Sequence, residues 1–365
     1  MASPGEQSPS TIGGIRRADV LSASALVGLL LLYGCLMAAI SHVELGRLAV
    51  HVSNFAGLSF YSAILASCGY AALCLLNSAA RRNADRRFFW LAVAGVITTL
   101  TFPFFAMFKE LVLPTRGFLW DSSFAHFGRL LFGTSPWLLA HDEFGSVAGA
   151  RVLDLAYRFW LPFMFGLPLI SAVFLDDDRL RLRIIATWTV SWIAIGTIGG
   201  WYFASAGPCF FNTFISHDAD YANLLRRLAD LQQQASRQGH SIESLQYQSR
   251  LLETYRAHDY APGGGISAMP SMHVAMASLV AMVAFRIDWR LGIPFAAFAV
   301  TVWLSTVFFG WHYFVDGPVG ALMMFAIWSL AKRVAARVYP GSTAGRSIDI
   351  ALDDAERWSP EALLA

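Results

Sequence analysis

The sequence predicts an all-α, polytopic membrane protein: a bundle of about eight transmembrane helices with an external helical insertion. Hydrophobic residues make up 56% of the 365-residue chain and charged residues only 14%, which excludes a water-soluble globular domain. Aromatic residues reach 14%, as in proteins that anchor at the lipid–water boundaries. Eight apolar stretches also approach the about 20 residues that a helix needs to cross the hydrocarbon core.

The predicted spans follow one another along the chain. They cover residues 20–40, 56–77, 88–108, 156–175, 184–206, 271–287, 291–311 and 313–331. Because the first stretch is longer than the apolar region of a signal peptide, we expect it to remain in the protein as a signal anchor. Two long connections interrupt the series, at about 109–155 and 207–270.

The second long connection is predicted to contain a helical hairpin outside the membrane. Leucines recur at near-helical spacing in the polar stretch 223–256. Two interpretations stay open at this point. The hairpin is either a lid over a site at the membrane surface or a passive pair of helices.

Arginines in short segments predict the orientation. They precede the first span, separate spans two and three, separate spans four and five, and recur after spans six and eight. Because short cytoplasmic loops are enriched in Lys and Arg, both termini are predicted to be cytoplasmic. We divide the chain into a cytoplasmic tail (1–19), accessory transmembrane helices (20–84), a catalytic membrane domain (85–340, with the external insertion 207–270) and a second cytoplasmic tail (341–365). The short Arg-rich loops are compatible with a bacterial inner membrane.

Composition also restricts the partners. The formal net charge of +2 gives no broad basic field for nucleic acid. We therefore expect no nucleic-acid partner and look for substrates in the bilayer itself.

The first segment with catalytic side chains is the glycine run 263–265 and the residues after it, up to His273. Pro270 suits the first position of a helix, where its missing N–H costs nothing. Such a helix would direct free N–H groups and the positive end of its dipole outward beside Ser271 and His273. The segment predicts a phosphate-binding pocket with an acid–base residue attached.

The second segment is 305–316, which ends in His312 and Asp316. If a helix starts by His312, the two side chains share one face, and the carboxylate fixes the imidazole tautomer so that the other ring nitrogen can attack. The arginine rule places both histidines on the non-cytoplasmic face. Two other interpretations are a pair of structural histidines bonded across helices and a zinc site of His273, His312 and Asp316, for which no fourth ligand has suitable spacing.

Ser-x-His followed about forty residues later by His-x-x-x-Asp resembles the type-2 phosphatidic acid phosphatase superfamily, which also contains the vanadium haloperoxidases. Segments 121–137, 201–209, 268–275 and 310–317 are similar to the branch that contains fungal inositol phosphorylceramide synthase. The resemblance implies a two-step phosphoryl transfer through a phosphohistidine, without metal or other cofactor. It implies that His312 is the nucleophile, Asp316 its orienting base, His273 the acid and Ser271 a phosphate ligand.

Two positions bear on how far the resemblance extends. Thr306 stands where the phosphatase pattern has an arginine after the serine, which favours the transferase branch. Lys109 and Arg116, followed by Gly117 in place of proline, partly match an upstream Lys-x6-Arg-Pro motif and are predicted phosphate ligands. The alternative for these two residues is that they are ordinary interfacial cations.

The resemblance therefore implies a lipid phosphotransferase that moves a phospho-headgroup, inositol phosphate-like, from a phospholipid to a lipid alcohol such as ceramide. The alternative is a lipid phosphate phosphatase acting on a phosphatidic acid- or isoprenyl-phosphate-type substrate. A transporter or scaffold with an inactive site is a hypothesis of a different class.

Overall fold

The computed structural model describes residues 11–12, 14–76, 84–257 and 263–340, and within them the all-α class is confirmed. Two two-residue strands, Thr11–Ile12 and Ile15–Arg16, pair antiparallel before the first helix. The helices are α1 (Arg17–Ser41), α2 (Leu45–Leu76), α3 (Ala84–Met107), α4 (Asp121–Phe132), α5 (Pro136–Phe144), α6 (Val147–Phe174), α7 (Asp178–Ser191), α8 (Gly200–Tyr202), α9 (Phe211–Phe214), α10 (Ala219–Arg237), α11 (Glu243–Ala257), α12 (Met272–Ile287), α13 (Trp289–Phe308) and α14 (Asp316–Val338). The expected cytoplasmic tail 341–365 lies outside the described residues.

Within the described ranges, seven helices are long and apolar enough to cross a membrane, one fewer than the eight predicted spans. The exception is α12, which has 16 residues. At 1.5 Å per residue it is about 24 Å long, less than the about 30 Å of a hydrocarbon core. The predicted span 156–175 is the second half of the longer helix α6, whose first turns belong to the connection before it.

Two transmembrane helices continue as π-helical segments at the same end of the bundle. Helix α3 runs into Phe108–Val112, and α7 runs into Trp192–Gly199. Glycines in the second segment allow close approach: a Cβ at Gly196 would lie 2.8 Å from the Phe105 ring, and one at Gly199 would lie 3.1 Å from the Pro270 ring. The segment before α12 is therefore packed directly against the end of α7.

The core of the bundle is aromatic. Phe102 of α3 contacts Phe165 of α6, Trp188 of α7 and Trp192 of the π-helical segment after α7, with ring centroids 4.5–5.8 Å apart. Large apolar side chains also cover the outside, and Leu65 of α2 is 73% exposed. Such a surface is stable where lipid tails replace water as the solvent.

A second hydrophobic core lies beyond the transmembrane bundle. It joins α4, α5 and α10 to the end of α13, through side chains such as Trp137, Leu224, Phe308 and Phe309. Helices α10 and α11 form the predicted external hairpin. Asp154 of α6 holds α11, the second helix of the hairpin. The Asp154 carboxylate accepts hydrogen bonds from the Ser244 N–H (2.8 Å) and the Glu243 N–H (3.4 Å) at the start of α11.

A buried ion network closes the opposite end of the bundle, which we call the arginine end (Arg16, Arg86 and Arg181). The Arg86 guanidinium donates two 2.6 Å hydrogen bonds to the Asp19 carboxylate. The Asp19 carboxylate also accepts hydrogen bonds from the Trp90 indole (3.1 Å) and the Tyr339 hydroxyl (2.6 Å). Asp178 extends the network to α7, where its carboxylate pairs with Arg16, Arg86 and Arg181. Arginines that predicted the orientation therefore also connect α1, α3, α7 and the end of α14.

We expect Asp19→Asn to destabilise the protein, because it removes the charge that compensates the buried Arg86 guanidinium. Loss of one partner of a buried ion pair costs about 3–5 kcal/mol. The measurement is thermal unfolding in detergent. Asp85→Asn is the control, since Asp85 lies exposed at the start of α3. Equal unfolding temperatures for the two variants would show that the network does not stabilise the bundle.

Candidate active site

The structure brings His312 and Asp316 together at the end of the bundle opposite the arginine end, which we call the histidine end (His273 and His312). The His312 Nδ1 lies 3.3 Å from the Asp316 Oδ2, and both side chains are buried. The Tyr313 N–H donates a 2.9 Å hydrogen bond to the same Oδ2. The expectation that a helix starts by His312 is wrong. Helix α14 begins at Asp316, and His312 lies in the turn before it.

That turn is held by the end of helix α13. The last carbonyls of a helix have no partner within it, and three separate elements supply donors here. The Phe308 carbonyl accepts a 2.8 Å hydrogen bond from His141 Nε2 of α5, and the Phe309 carbonyl accepts a 2.7 Å bond from Gln248 Nε2 of α11. The Gly310 carbonyl accepts a 2.8 Å bond from the Cys209 N–H. The peptide chain that leads into His312 is therefore fixed from three sides.

Glycine is required on both sides of the contact between the Gly310 carbonyl and the Cys209 N–H. Gly310 has φ +71°, a left-handed conformation that ends the helix, and a Cβ there would lie 2.7 Å from Leu224 of α10. Gly207 has φ +93°, and a Cβ there would overlap the Trp311 carbonyl. Side chains at these positions would push the turn away from its supports.

Helix α12 begins beside the pair formed by His312 and Asp316. The expectation for Pro270 is wrong: the helix begins at Met272, and Ser271 is its cap, with its hydroxyl accepting a 3.4 Å hydrogen bond from the Val274 N–H. The Ser271 N–H donates to the backbone carbonyl of Asp316 at 3.1 Å, which joins the two helix starts. Among the described residues, the Met272 and His273 N–H groups have no backbone acceptor outside the helix. The start of α12 retains free donors beside the histidines.

The His273 ring is held by aromatic neighbours rather than by a carboxylate. It stacks on Tyr157 with ring centroids 4.5 Å apart and contacts Trp160 at 4.3 Å, both on α6. Its centroid lies 5.7 Å from that of His312, with the rings steeply inclined. The two imidazoles are thus in edge-to-face contact and form no hydrogen bond with each other.

The structure gives the two predicted phosphate ligands, Lys109 and Arg116, different surroundings. Lys109 lies in the π-helical segment after α3, where its backbone and Cβ contact Gly265 of the loop that leads to Ser271. The exposed Arg116 guanidinium instead donates a 3.4 Å hydrogen bond to the Trp201 carbonyl and lies 5.7 Å from the Trp201 ring centre. Lys109 is next to the segment that carries the site, whereas Arg116 has the contacts of an interfacial cation.

Asp121, at the start of the similar segment 121–137, has a supporting role that the sequence analysis did not predict. Its buried carboxylate accepts hydrogen bonds from the N–H groups of Ala206 (3.0 Å) and Gly207 (2.9 Å) and from the Tyr313 hydroxyl (2.8 Å). Burial raises the pKa of Asp121, although these hydrogen bonds act in the opposite direction. Asp121 thereby ties the loop before Pro208 to the residue after His312. The signal for this role in the sequence is the position of Asp121 at the start of an amphipathic helix, α4.

A cavity of about 20 Å³ borders His312 on the side of α4, α5 and α10, large enough for one water molecule. Its walls include Pro208, Tyr221 and Tyr313. In the ranges that the structure describes, no group of three or more His, Cys, Asp or Glu side chains has the arrangement of a metal site.

We expect Asp121→Asn to destabilise the site, because the amide keeps one acceptor oxygen but replaces Oδ2, which accepts from the Ala206 N–H, with an unpaired buried NH₂ group and removes the carboxylate charge. Unpaired buried polar groups cost about 1–3 kcal/mol. Denaturation in detergent measures the loss, and Asp142→Asn is the matched control, since the Asp142 side chain is exposed. A variant as stable as the control would exclude Asp121 as a support of the turn.

Comparison with known proteins identifies a family for this chain. A family model described as the PAP2 superfamily matches residues 123–330, more than half of the chain. The match contains Ser271, His273, His312 and Asp316, and it begins after Lys109 and Arg116. No curated protein and no solved structure matches the chain significantly. The chain belongs to the PAP2 superfamily, and it is a membrane enzyme of the lipid phosphatase or phosphotransferase type.

Proposed function

We propose that the protein is a lipid phosphotransferase that moves a phospho-headgroup from a phospholipid to a lipid alcohol through a phosphohistidine on His312. The single observation that carries the proposal is the contact of 3.3 Å between His312 Nδ1 and Asp316 Oδ2, with the centroid of the His273 ring 5.7 Å from that of His312. A nucleophile oriented by a carboxylate and faced by a second acid–base group has the parts for two-step transfer.

In the first step His312 attacks the donor. Its Nδ1–H donates to Asp316, so Nε2 carries the lone pair and forms a bond to phosphorus. The P–O bond to the departing lipid alcohol breaks, and His273 gives its proton to that oxygen. The free N–H groups at the start of α12 favour the phosphate oxygens, because they are backbone donors at the positive end of the helix dipole. Ser271 orients this helix start, and Lys109 is positioned to add a positive charge.

In the second step His273, now neutral, takes the proton of an acceptor hydroxyl. The acceptor oxygen forms a bond to phosphorus, the N–P bond breaks and His312 is regenerated. An acceptor lipid makes the enzyme a transferase, whereas water makes it a phosphatase. Thr306 in place of a cationic residue supports the transferase, since a site with fewer phosphate-binding charges suits a phosphodiester better than a dianionic monoester.

The proposed substrates follow from this reaction and from the resemblance of the motifs. The donor is a phospholipid with an inositol phosphate-like headgroup, and the acceptor is a lipid alcohol such as ceramide. We propose that the histidine end faces the non-cytoplasmic side of the membrane. Support comes from the arginines of the short segments, which gather at the opposite end of the bundle.

We expect an acid-labile phosphate label on His312 after brief incubation with a donor labelled in its phosphate. His312→Ala should give no label, because the bond to phosphorus cannot form. His273→Ala should form it about 10²–10⁴-fold more slowly, the usual contribution of general acid catalysis. Rapid quench and mass spectrometry measure the label. His126→Ala, on the external helix α4, is the control. Turnover by His312→Ala at the wild-type rate would refute the mechanism. A wild-type protein with neither label nor product would leave a transporter or scaffold as the interpretation.

We expect the labelled phospho-headgroup to appear on a new lipid when ceramide is present in the detergent micelles. Thin-layer chromatography separates this product from a water-soluble phosphate or phospho-headgroup. A matched incubation without ceramide gives the rate of discharge to water. If the water-soluble product forms at the same rate in both incubations and no new lipid appears, the protein is a lipid phosphatase.

A further inference from the structure

A cavity of about 410 Å³ lies between the two helices of the external hairpin and the segment after Gly207. Its volume falls within the about 300–1,000 Å³ of small-molecule sites. Cys209 lines this cavity, and its neighbour Pro208 lines the small cavity beside His312. The two spaces therefore share the Pro208–Cys209 turn as a wall.

The lining indicates the chemistry of a ligand. None of the twelve lining residues carries a charge, and five have neutral polar side chains: Thr213, Gln232, Gln246, Gln248 and Ser249. The others are apolar, four of them leucines. Without an opposite charge nearby, a charged ligand would lose hydration and gain no ion pair. An uncharged amphiphile matches both kinds of surface.

The glutamines that line the cavity indicate which groups the polar part of the ligand carries. Gln232 uses both ends of its amide within the hairpin. Gln246 and Gln248 donate through Nε2, to the Ser241 hydroxyl and the Phe309 carbonyl, both at 2.7 Å. Within the described residues their Oε1 atoms accept no hydrogen bond, and the Gln248 residue is 8% exposed. An acceptor that lines a cavity can bind a donor of the ligand, and the donor of an uncharged amphiphile is a hydroxyl or amide N–H.

The same lining residues hold the end of α13. Gln248 donates to the Phe309 carbonyl and the Cys209 N–H donates to the Gly310 carbonyl, two residues before His312. A ligand hydrogen-bonded to Gln248 would thus contact a group that positions the proposed nucleophile.

We propose that this cavity binds a neutral lipid with hydroxyl groups at its polar end. The proposal rests on the function proposed above only for the role of the ligand, because binding itself does not require phosphoryl transfer. Two sources share this chemistry: the acceptor alcohol of the reaction, and a neutral bilayer lipid that is bound but not consumed.

The test uses the full-length protein in detergent and a monoacylglycerol that carries a photoactivatable diazirine near its glycerol end. We expect the label on α10 and α11 peptides, with competition by unlabelled monoacylglycerol and none by phosphatidic acid. Ala229→Trp fills the cavity from an exposed position of α10 and should reduce labelling at least tenfold. Gln233→Trp, exposed on the same helix but outside the lining, should label like wild type. Equal melting temperatures establish that both variants fold.

Label outside the hairpin, or undiminished label in Ala229→Trp, would overturn the proposal. The phosphohistidine assay on the same samples separates the two hypotheses. Cavity label without phosphohistidine refutes the proposed function alone, and phosphohistidine without cavity label refutes the binding site alone. Recovery of the probe with a phospho-headgroup identifies the bound lipid as the acceptor, whereas recovery unchanged identifies it as a ligand that is not consumed.

Discussion

The end of helix α13 is the constraint on which the histidine end depends. Its last carbonyls lie where apolar side chains exclude water, so each needs a protein donor. His141, Gln248 and the Cys209 N–H supply those donors from three parts of the chain that are distant in sequence. Satisfying these acceptors fixes the turn that follows, and His312 lies in that turn. The external segments are thus part of the site's support, which favours neither a free lid nor a purely passive helix pair.

Asp121 and Asp316 extend this support to the side chains. Asp316 contacts His312 directly and the Tyr313 N–H beside it, while Asp121 accepts from the Tyr313 hydroxyl and from the loop at 206–207. One carboxylate therefore orients the imidazole and the other orients the segment around it. Such double support restricts rotation of His312, as the proposed in-line attack requires.

The two ends of the bundle differ in how their buried carboxylates are paired. At the arginine end, Asp19 and Asp178 are saturated by guanidinium groups and hydroxyl or indole donors. At the histidine end, the Asp316 Oδ1 and the Trp160 and Trp311 indole N–H groups are buried without partners among the described residues. The Arg181 Nε at the arginine end is also buried without a partner among these residues. The difference between the two ends therefore lies in the carboxylates, because those of Asp19 and Asp178 are paired with guanidinium groups and one oxygen of Asp316 is unpaired in the described part of the chain.

The sequence by itself determined the class and the pairing of residues. Hydropathy predicted the membrane bundle because every backbone group in lipid must be bonded within a helix. The spacing of His312 and Asp316 predicted their contact on a shared helix face, and the structure makes that contact from the turn before the helix instead. The local geometry of that turn could not be predicted. Helix α12 begins at Met272, where its own Ser271 caps it, and α14 begins at Asp316, whose carbonyl accepts a hydrogen bond from the Ser271 N–H.

Only the tertiary structure decided the rest. The π-helical segment that places Lys109 against Gly265, the separation of Arg116 from the site, and the support from Asp121 and Gln248 all depend on long-range contacts. Sequence periodicity reports which face of a helix is apolar, but not which distant carbonyl its polar side chains reach. The chemistry of the site could therefore be predicted from a few local motifs, whereas its rigidity depends on chain segments that meet only after folding.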